Sequence, residues 1–206
     1  MTDLGLVGHW DAAYAGGDRD RSWTEEEPGD SLDAIRCAGA TLEAPVIDVG
    51  GGSSRLTANL LAAGHSDLTV LDISGAALEL ARGRLGPAAD AVEWIVADLL
   101  AWRPRRRYAI WHDRAVLHFF TAPGDRRRYG DTARAALAPG GHAIIAAFAP
   151  GGPERCSGLP VCRSSADDIL DVLGGGFVAV HASLREHRTP SGTRQPFTWI
   201  IAQRTR

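Results

Sequence analysis

The sequence predicts a doubly wound α/β sheet with helices on both faces, and three observations carry that expectation. Short apolar runs rich in Val and Ile alternate with helix-period segments from residue 46 onward, the order that builds parallel strands joined by crossover helices. The first run, Val46-Ile47-Asp48-Val49, opens directly into Gly50-Gly51-Gly52 and then into an apolar-periodic segment starting at Leu56. The second run, Leu68–Asp72, ends on a carboxylate, about twenty residues beyond the glycine turn, where nucleotide-binding sheets place an acid on ribose hydroxyls.

Taken in order, residues 1–30 are polar and glycine-rich yet hold Trp10, Tyr14 and Trp23. Aromatic rings in such a lead-in need a surface to bury against. They anchor an N-terminal flap or cover a ligand, and the sequence favours neither. Ser31–Arg36 has helical spacing, so residues 1–40 are expected to pack as flap and helix on a single domain of residues 41–206. Ser53 and Ser54 are N-cap candidates for the helix after the glycine turn, and Ser74 caps the one after Asp72. Val92–Val96 predicts a third strand ending at Asp98-Leu99, and Tyr108–Trp111 a fourth running into His112-Asp113-Arg114. A helix from Asp125 to Leu137 stops at Pro139-Gly140-Gly141, before a fifth strand from His142 to Phe148. The glycine- and proline-rich stretch 149–164 reads as a long loop. A helix starting at Ser165 and two closing strands, Phe177–Leu184 and Phe197–Ala202, complete the chain.

The glycine turn narrows the ligand. A dinucleotide fingerprint needs a third glycine where Arg55 stands, and a phosphate-binding P-loop needs a lysine. All 22 basic residues are arginine. The net charge of −3, with no basic, aromatic-laced stripe, argues against nucleic acid. Met1-Thr2-Asp3 does not open a signal peptide and no apolar run reaches membrane-spanning length, so a cytoplasmic setting is expected. Cys37, Cys156 and Cys162 lack the paired spacing of a zinc site, and no metal is expected.

Asp48-x-Gly50-x-Gly52, Asp72, Asp98-Leu99 and Leu137-Ala138-Pro139-Gly140-Gly141-His142 resemble the motifs of class I S-adenosylmethionine-dependent methyltransferases. Trp10, Ser22-Trp23 and His112–Phe119 are similar to a small bacterial branch akin to thiopurine, tellurite-resistance and seven-strand lysine methyltransferases. The resemblance implies seven strands, mostly parallel, the last antiparallel in a C-terminal hairpin. It also implies S-adenosyl-L-methionine as cofactor. Asp48, Gly50, Gly51 and Gly52 would lie beneath it, Asp72 and Ile73 at its ribose, Asp98 and Leu99 at its adenine, with Trp23 covering it. The pattern departs from the family at Ser54, where a third glycine is common. It lacks the Asn/Asp-Pro-Pro-Tyr/Phe motif after strand four that serves adenine-N6 or glutamine-amide methylation.

A sulfonium methyl is already activated, so catalysis asks chiefly for alignment and the removal of a proton. His112, Asp113 and His118 lie just beyond strand four, where the fold faces the methyl group; one of them is a candidate base or orienter. Equally, Asp113 pairs with Arg114 or a helix end and His118 is half-buried. Trp10, Arg114, Phe148 and Cys156 are candidates for the acceptor pocket, Cys156 partly exposed at its rim, while Cys162 packs as a small apolar group. The short remainder after Gly141 favours a small-molecule acceptor. Protein lysine methylation and non-catalytic cofactor binding are the alternatives.

Overall fold

The computed structural model describes residues 3–18 and 21–205. Seven strands form one sheet in the order β3-β2-β1-β4-β5-β9-β8. The strands are β1 (Val46–Val49), β2 (Leu68–Asp72), β3 (Val92–Val96), β4 (Tyr108–Arg114), β5 (Leu137–Phe148), β8 (Phe177–Arg188) and β9 (Arg194–Arg204). Strands β1 to β5 pair in parallel, and β9 runs antiparallel to both β5 and β8. The chain steps outward from β1 to β3, then crosses back to place β4 beside β1. That reversal leaves a crevice at the carboxyl ends of β1 and β4, the position where open α/β sheets take ligands.

The helices are α1 (Asp3–Tyr14), α2 (Gly29–Cys37), α3 (Leu56–Ala62), α4 (Gly75–Leu85), α5 (Pro123–Ala136) and α6 (Ala166–Leu173). Two apolar clusters sandwich the sheet. On one face Trp111, Tyr129 and Leu137 pack with Ile169 and Leu173; on the other Ile35, Leu56 and Leu78 pack with Ile110 and Ile144. The β1, β2 and β4 residues are buried almost without a break, which is why those strands read as continuous apolar runs rather than alternating ones. Among the described residues no helix is long and apolar enough to cross a membrane.

Three local departures from expectation have physical causes. The lead-in is helical over α1, because tertiary contacts hold it: Ser74 Oγ donates to Asp11 Oδ1 at 2.6 Å and the Ala76 N–H approaches the same oxygen at 3.4 Å. Asp11 thereby joins Ser74, whose hydroxyl accepts from the Ala77 N–H, in capping α4. Strand β5 begins at Leu137, and Pro139-Gly140-Gly141 bulge from it where pairing shifts between Tyr108 and Ile110, with Gly140 at φ 79°. Within the stretch read as one loop, β6 (Arg155–Cys156) and β7 (Leu159–Pro160) form a hairpin through Ser157 and Gly158 at φ 48° and 76°, the all-positive geometry of a tight primed turn.

Candidate functional site

The glycine turn sits at the carboxyl end of β1, its Gly50 N–H donating to the Leu71 carbonyl at 2.6 Å. A Cβ on Gly50 would lie 2.0 Å from Val116 Cγ2, and one on Gly51 would lie 2.7 Å from Asp48 Oδ2. At Gly52 (φ 50°) it would come within 2.9 Å of the Tyr14 hydroxyl. All three positions thus require glycine through close approach, and Gly50 and Gly52 through backbone conformation as well.

Register places Asp48 opposite His112. His112 Nδ1 lies 2.7 Å from Asp48 Oδ1 and Nε2 lies 3.0 Å from Ser31 Oγ, so neither ring nitrogen is free. A carboxylate only accepts, so Nδ1 carries a hydrogen. The other carboxylate oxygen, Asp48 Oδ2, is buried without a partner. At the end of β2, Asp72 Oδ1 accepts the Ser74 N–H at 2.8 Å. Burial raises the Asp72 carboxyl to about 6, and Asp48 adds to the rise, while the Ser74 and Gly52 N–H groups oppose it. Past β3, Asp98 Oδ1 accepts the Leu100 N–H at 2.9 Å.

These groups line one cleft of about 550 Å³, within the size range of small-molecule sites. Asp48, Gly50, Gly51 and Asp72 lie along it with Ile73, Asp98 and Leu99, and His112 borders it. Trp10, Trp23, Arg114 and Cys156 line the same cleft. Gly52 faces the Tyr14 hydroxyl and Asp72 Oδ2, both on residues that line the cleft. The roof is α1 and the segment Ser22–Glu25. Trp23 Nε1–H donates to Tyr14 Oη at 3.0 Å, and Trp10 meets Trp23 and Phe119 edge-on at 5.8 and 5.1 Å. Arg114 clamps that segment, donating to the Trp23 carbonyl at 3.1 Å and to Glu25 at 2.6 Å, and His187 donates to the Ser22 carbonyl at 2.7 Å. Tyr14, Glu25 and Ser31 are site residues that the pattern of motifs does not single out, Tyr14 alone carrying a signal as an aromatic in a polar lead-in; Phe119 closes the His112–Phe119 stretch that carries the resemblance.

Four expectations are corrected. Asp113 is fully buried and turns away from the cleft, accepting from Tyr129 Oη at 2.6 Å and from the Val116 and Leu117 N–H groups. It does not pair with Arg114 and is not placed to touch an acceptor; it takes the helix-end alternative, capping the start of the short 3-10 helix Leu117–Phe119. His118 is also fully buried, between Phe119 and Phe148 with ring centroids 4.5 Å from each, and not half-buried. Phe148 packs there rather than in the cleft. Cys156 does line the cleft, but it is buried by the hairpin and not partly exposed; burial pushes its thiol up to about 11, with Arg114 opposing.

Neither nitrogen of His118 has a hydrogen-bond partner, and burial, with Arg114 nearby, lowers its pKa to about 3. An unpaired buried polar group costs about 1–3 kcal/mol. His118→Leu is therefore expected to stabilise the fold by about 1 kcal/mol and leave methyl transfer unchanged. In the wild type the unfolded chain binds a proton near pH 6.5 that the folded chain refuses, so stability falls as pH drops below that value. Urea melts at pH 5 and 8 check both points; a variant that is less stable and slower would restore a role for the imidazole.

Residues 46–141 match the family described as methyltransferase domain. No curated protein sequence matches the chain. Among solved structures, a SAM-dependent methyltransferase from Anabaena variabilis is 17% identical with a TM-score of 0.76, covering 98% of this chain and 94% of its own. The Burkholderia thailandensis 1,6-didemethyltoxoflavin-N1-methyltransferase, solved with that compound and S-adenosylhomocysteine, is 20% identical with a TM-score of 0.74, covering 100% and 92%. The glycopeptide N-methyltransferase MtfA is 19% identical with a TM-score of 0.65, covering 84% and 94%. The domain match runs from β1 into β5 and the shared sheet extends along nearly the whole chain: residues 46–141 form a methyltransferase domain, and the chain has the Rossmann-like fold of these S-adenosylmethionine-dependent methyltransferases.

Proposed function

We propose that the protein transfers the methyl group of S-adenosylmethionine to a small-molecule acceptor held in the roofed end of the cleft. The observation that carries the small-molecule reading is the roof itself. Trp10 and Trp23 line the cleft and meet edge-on, and Arg114 holds the Trp23 segment through the Trp23 carbonyl and Glu25.

The residues present fit the cofactor. The unpartnered Asp48 Oδ2 suits its ammonium group, and the glycine turn leaves room for its methionine half. Asp72 accepts the ribose hydroxyls, and Asp98 with the Leu99 N–H meets the adenine. When bound, the cofactor supplies a methyl already activated on a sulfonium. What the chain adds is orientation and the exclusion of water. His112 acts as a positioning residue, since Asp48 and Ser31 occupy both its nitrogens; it holds Asp48 in place rather than moving a proton.

Incubation with methyl-tritiated cofactor and either the protein or the small-molecule fraction of a cell extract tests this. Label is expected in the small-molecule fraction. Label confined to protein would replace the reading with protein methylation, the alternative that the sequence resemblance raises. Tight cofactor binding without transfer to either fraction would favour a non-catalytic role.

A further inference from the structure

The acceptor end of the cleft has a chemistry of its own. Its walls are the half-buried rings of Trp10, Trp23 and Phe119, which meet edge-on and so turn faces in different directions. Cys156 and Leu159 of the β6–β7 hairpin line the same cleft, with the Cys156 thiol protonated. Aromatic walls of this kind favour a flat ring system, through stacking and edge contacts that a puckered aliphatic ring cannot make.

Charge is the second constraint. Each arginine on the cleft wall already has a carboxylate: Arg55 with Glu26, Arg84 with Asp18, Arg114 with Glu25 and Arg128 with Asp125. An anionic acceptor would find no free cation among them. A cationic acceptor would have to share Glu25, whose charge Arg114 already meets, and would lose its own hydration beside a second cation in a half-buried place.

The third constraint is Glu25. It lines the cleft beside Trp23, and Arg114 and His187 both approach it through Oε1, at 2.6 and 3.2 Å. Burial works against its charge, yet His187 and Arg114 hold the carboxyl below its usual range, so it is ionised at neutral pH. An ionised carboxylate is acceptor-only, and Oε2 is left for a donor on the bound molecule.

We infer that the acceptor is an uncharged, planar aromatic or heteroaromatic molecule bearing an O–H or N–H, seated among Trp10, Trp23 and Phe119 with that group hydrogen-bonded to Glu25. This deepens the proposed function and rests on it for the reaction, though not for the binding preference. In the transfer, the heteroatom's lone pair forms the bond to the methyl carbon and the carbon–sulfur pair stays on sulfur as a thioether. The acceptor's proton passes to Glu25 and on to water. The step leaves an O-methyl or N-methyl arene and consumes no oxidant or reductant.

Calorimetric titration with four probes tests the preference, with and without saturating adenosylhomocysteine. Naphthol has the flat ring and the donor, decahydronaphthol lacks the flat ring, methoxynaphthalene lacks the donor, and naphthoate carries a charge. Naphthol is expected to bind at least about tenfold more tightly than each of the others, the equivalent of about 1.4 kcal/mol. Glu25→Gln keeps an oxygen for Arg114, so adenosylhomocysteine affinity should stay within about twofold while naphthol falls by about tenfold, to the level of methoxynaphthalene. Equal or tighter binding of decahydronaphthol or naphthoate overturns the inference, as does an unchanged naphthol affinity in Glu25→Gln or no binding by any probe. Loss of adenosylhomocysteine binding by the wild type would instead sink the methyltransferase reading, and the probe ranking without it still decides the pocket.

Discussion

Asp72→Ala lowers the affinity for adenosylhomocysteine by at least about a hundredfold and leaves the sheet folded. Two hydrogen bonds from ribose hydroxyls to a carboxylate are worth about 1.5–3 kcal/mol each, and each 1.4 kcal/mol is tenfold in affinity. The folded protein tolerates the change because Asp72 carries a burial penalty of its own, seen in a carboxyl raised to about 6. That value also sets a pH dependence. The ionised form is the better acceptor, so wild-type affinity should climb from pH 5 to 7 and then level off. Stability moves the other way: the folded chain holds this proton more tightly than the unfolded one, so the contribution is full below 3.8 and is lost as pH rises through about 6. Calorimetry across that range decides the matter. Wild-type affinity in the variant, or a flat pH profile in the wild type, would remove Asp72 from the ribose.

Asp113→Ala acts on the fold. It strands the Tyr129 hydroxyl and the Val116 and Leu117 N–H groups in a dry interior, where the side chain is fully buried. Trp111 Nε1–H donates to the same Tyr129 oxygen at 3.1 Å, so a connected network fails together. A loss of about 3–5 kcal/mol is expected from several unsatisfied donors at about 1–3 kcal/mol each, less than additively. Urea unfolding should show a lower midpoint at unchanged slope, while turnover per folded molecule stays near wild type. A stable but slow variant would return Asp113 to the chemistry.

The contrast between Asp72 and Asp113 shows what kind of information a motif holds. Both are acids at the end of an apolar run, yet Asp72 lines the cleft and Asp113 turns into the core beneath it. Spacing along a strand places a residue near a sheet edge. Which way the chain turns in the next three residues is decided by partners such as Tyr129, sixteen positions away. His118 and Phe148 follow the same logic: each is near the cleft in sequence terms, and each is drawn into an aromatic cluster with Phe197 that no local pattern announces.

Short-range signals were enough for β1, the glycine turn, β2 with Asp72, the Ser74 cap and the two-faced α/β sheet, because strand burial, positive φ and capping are properties of neighbouring residues. The methyltransferase domain was legible for the same reason, since it rests on motifs read within single strand–turn–helix units. The roof was not. Helix α1 depends on Asp11 meeting Ser74, sixty-three positions on, and the Trp23 segment depends on Arg114 and on His187, which is 165 residues from Ser22. Those contacts join groups distant in sequence whose pairing is worth having only once the sheet has brought them together, so the glycine turn and the strand-end acids were written locally and the roof over the cleft was decided by tertiary structure.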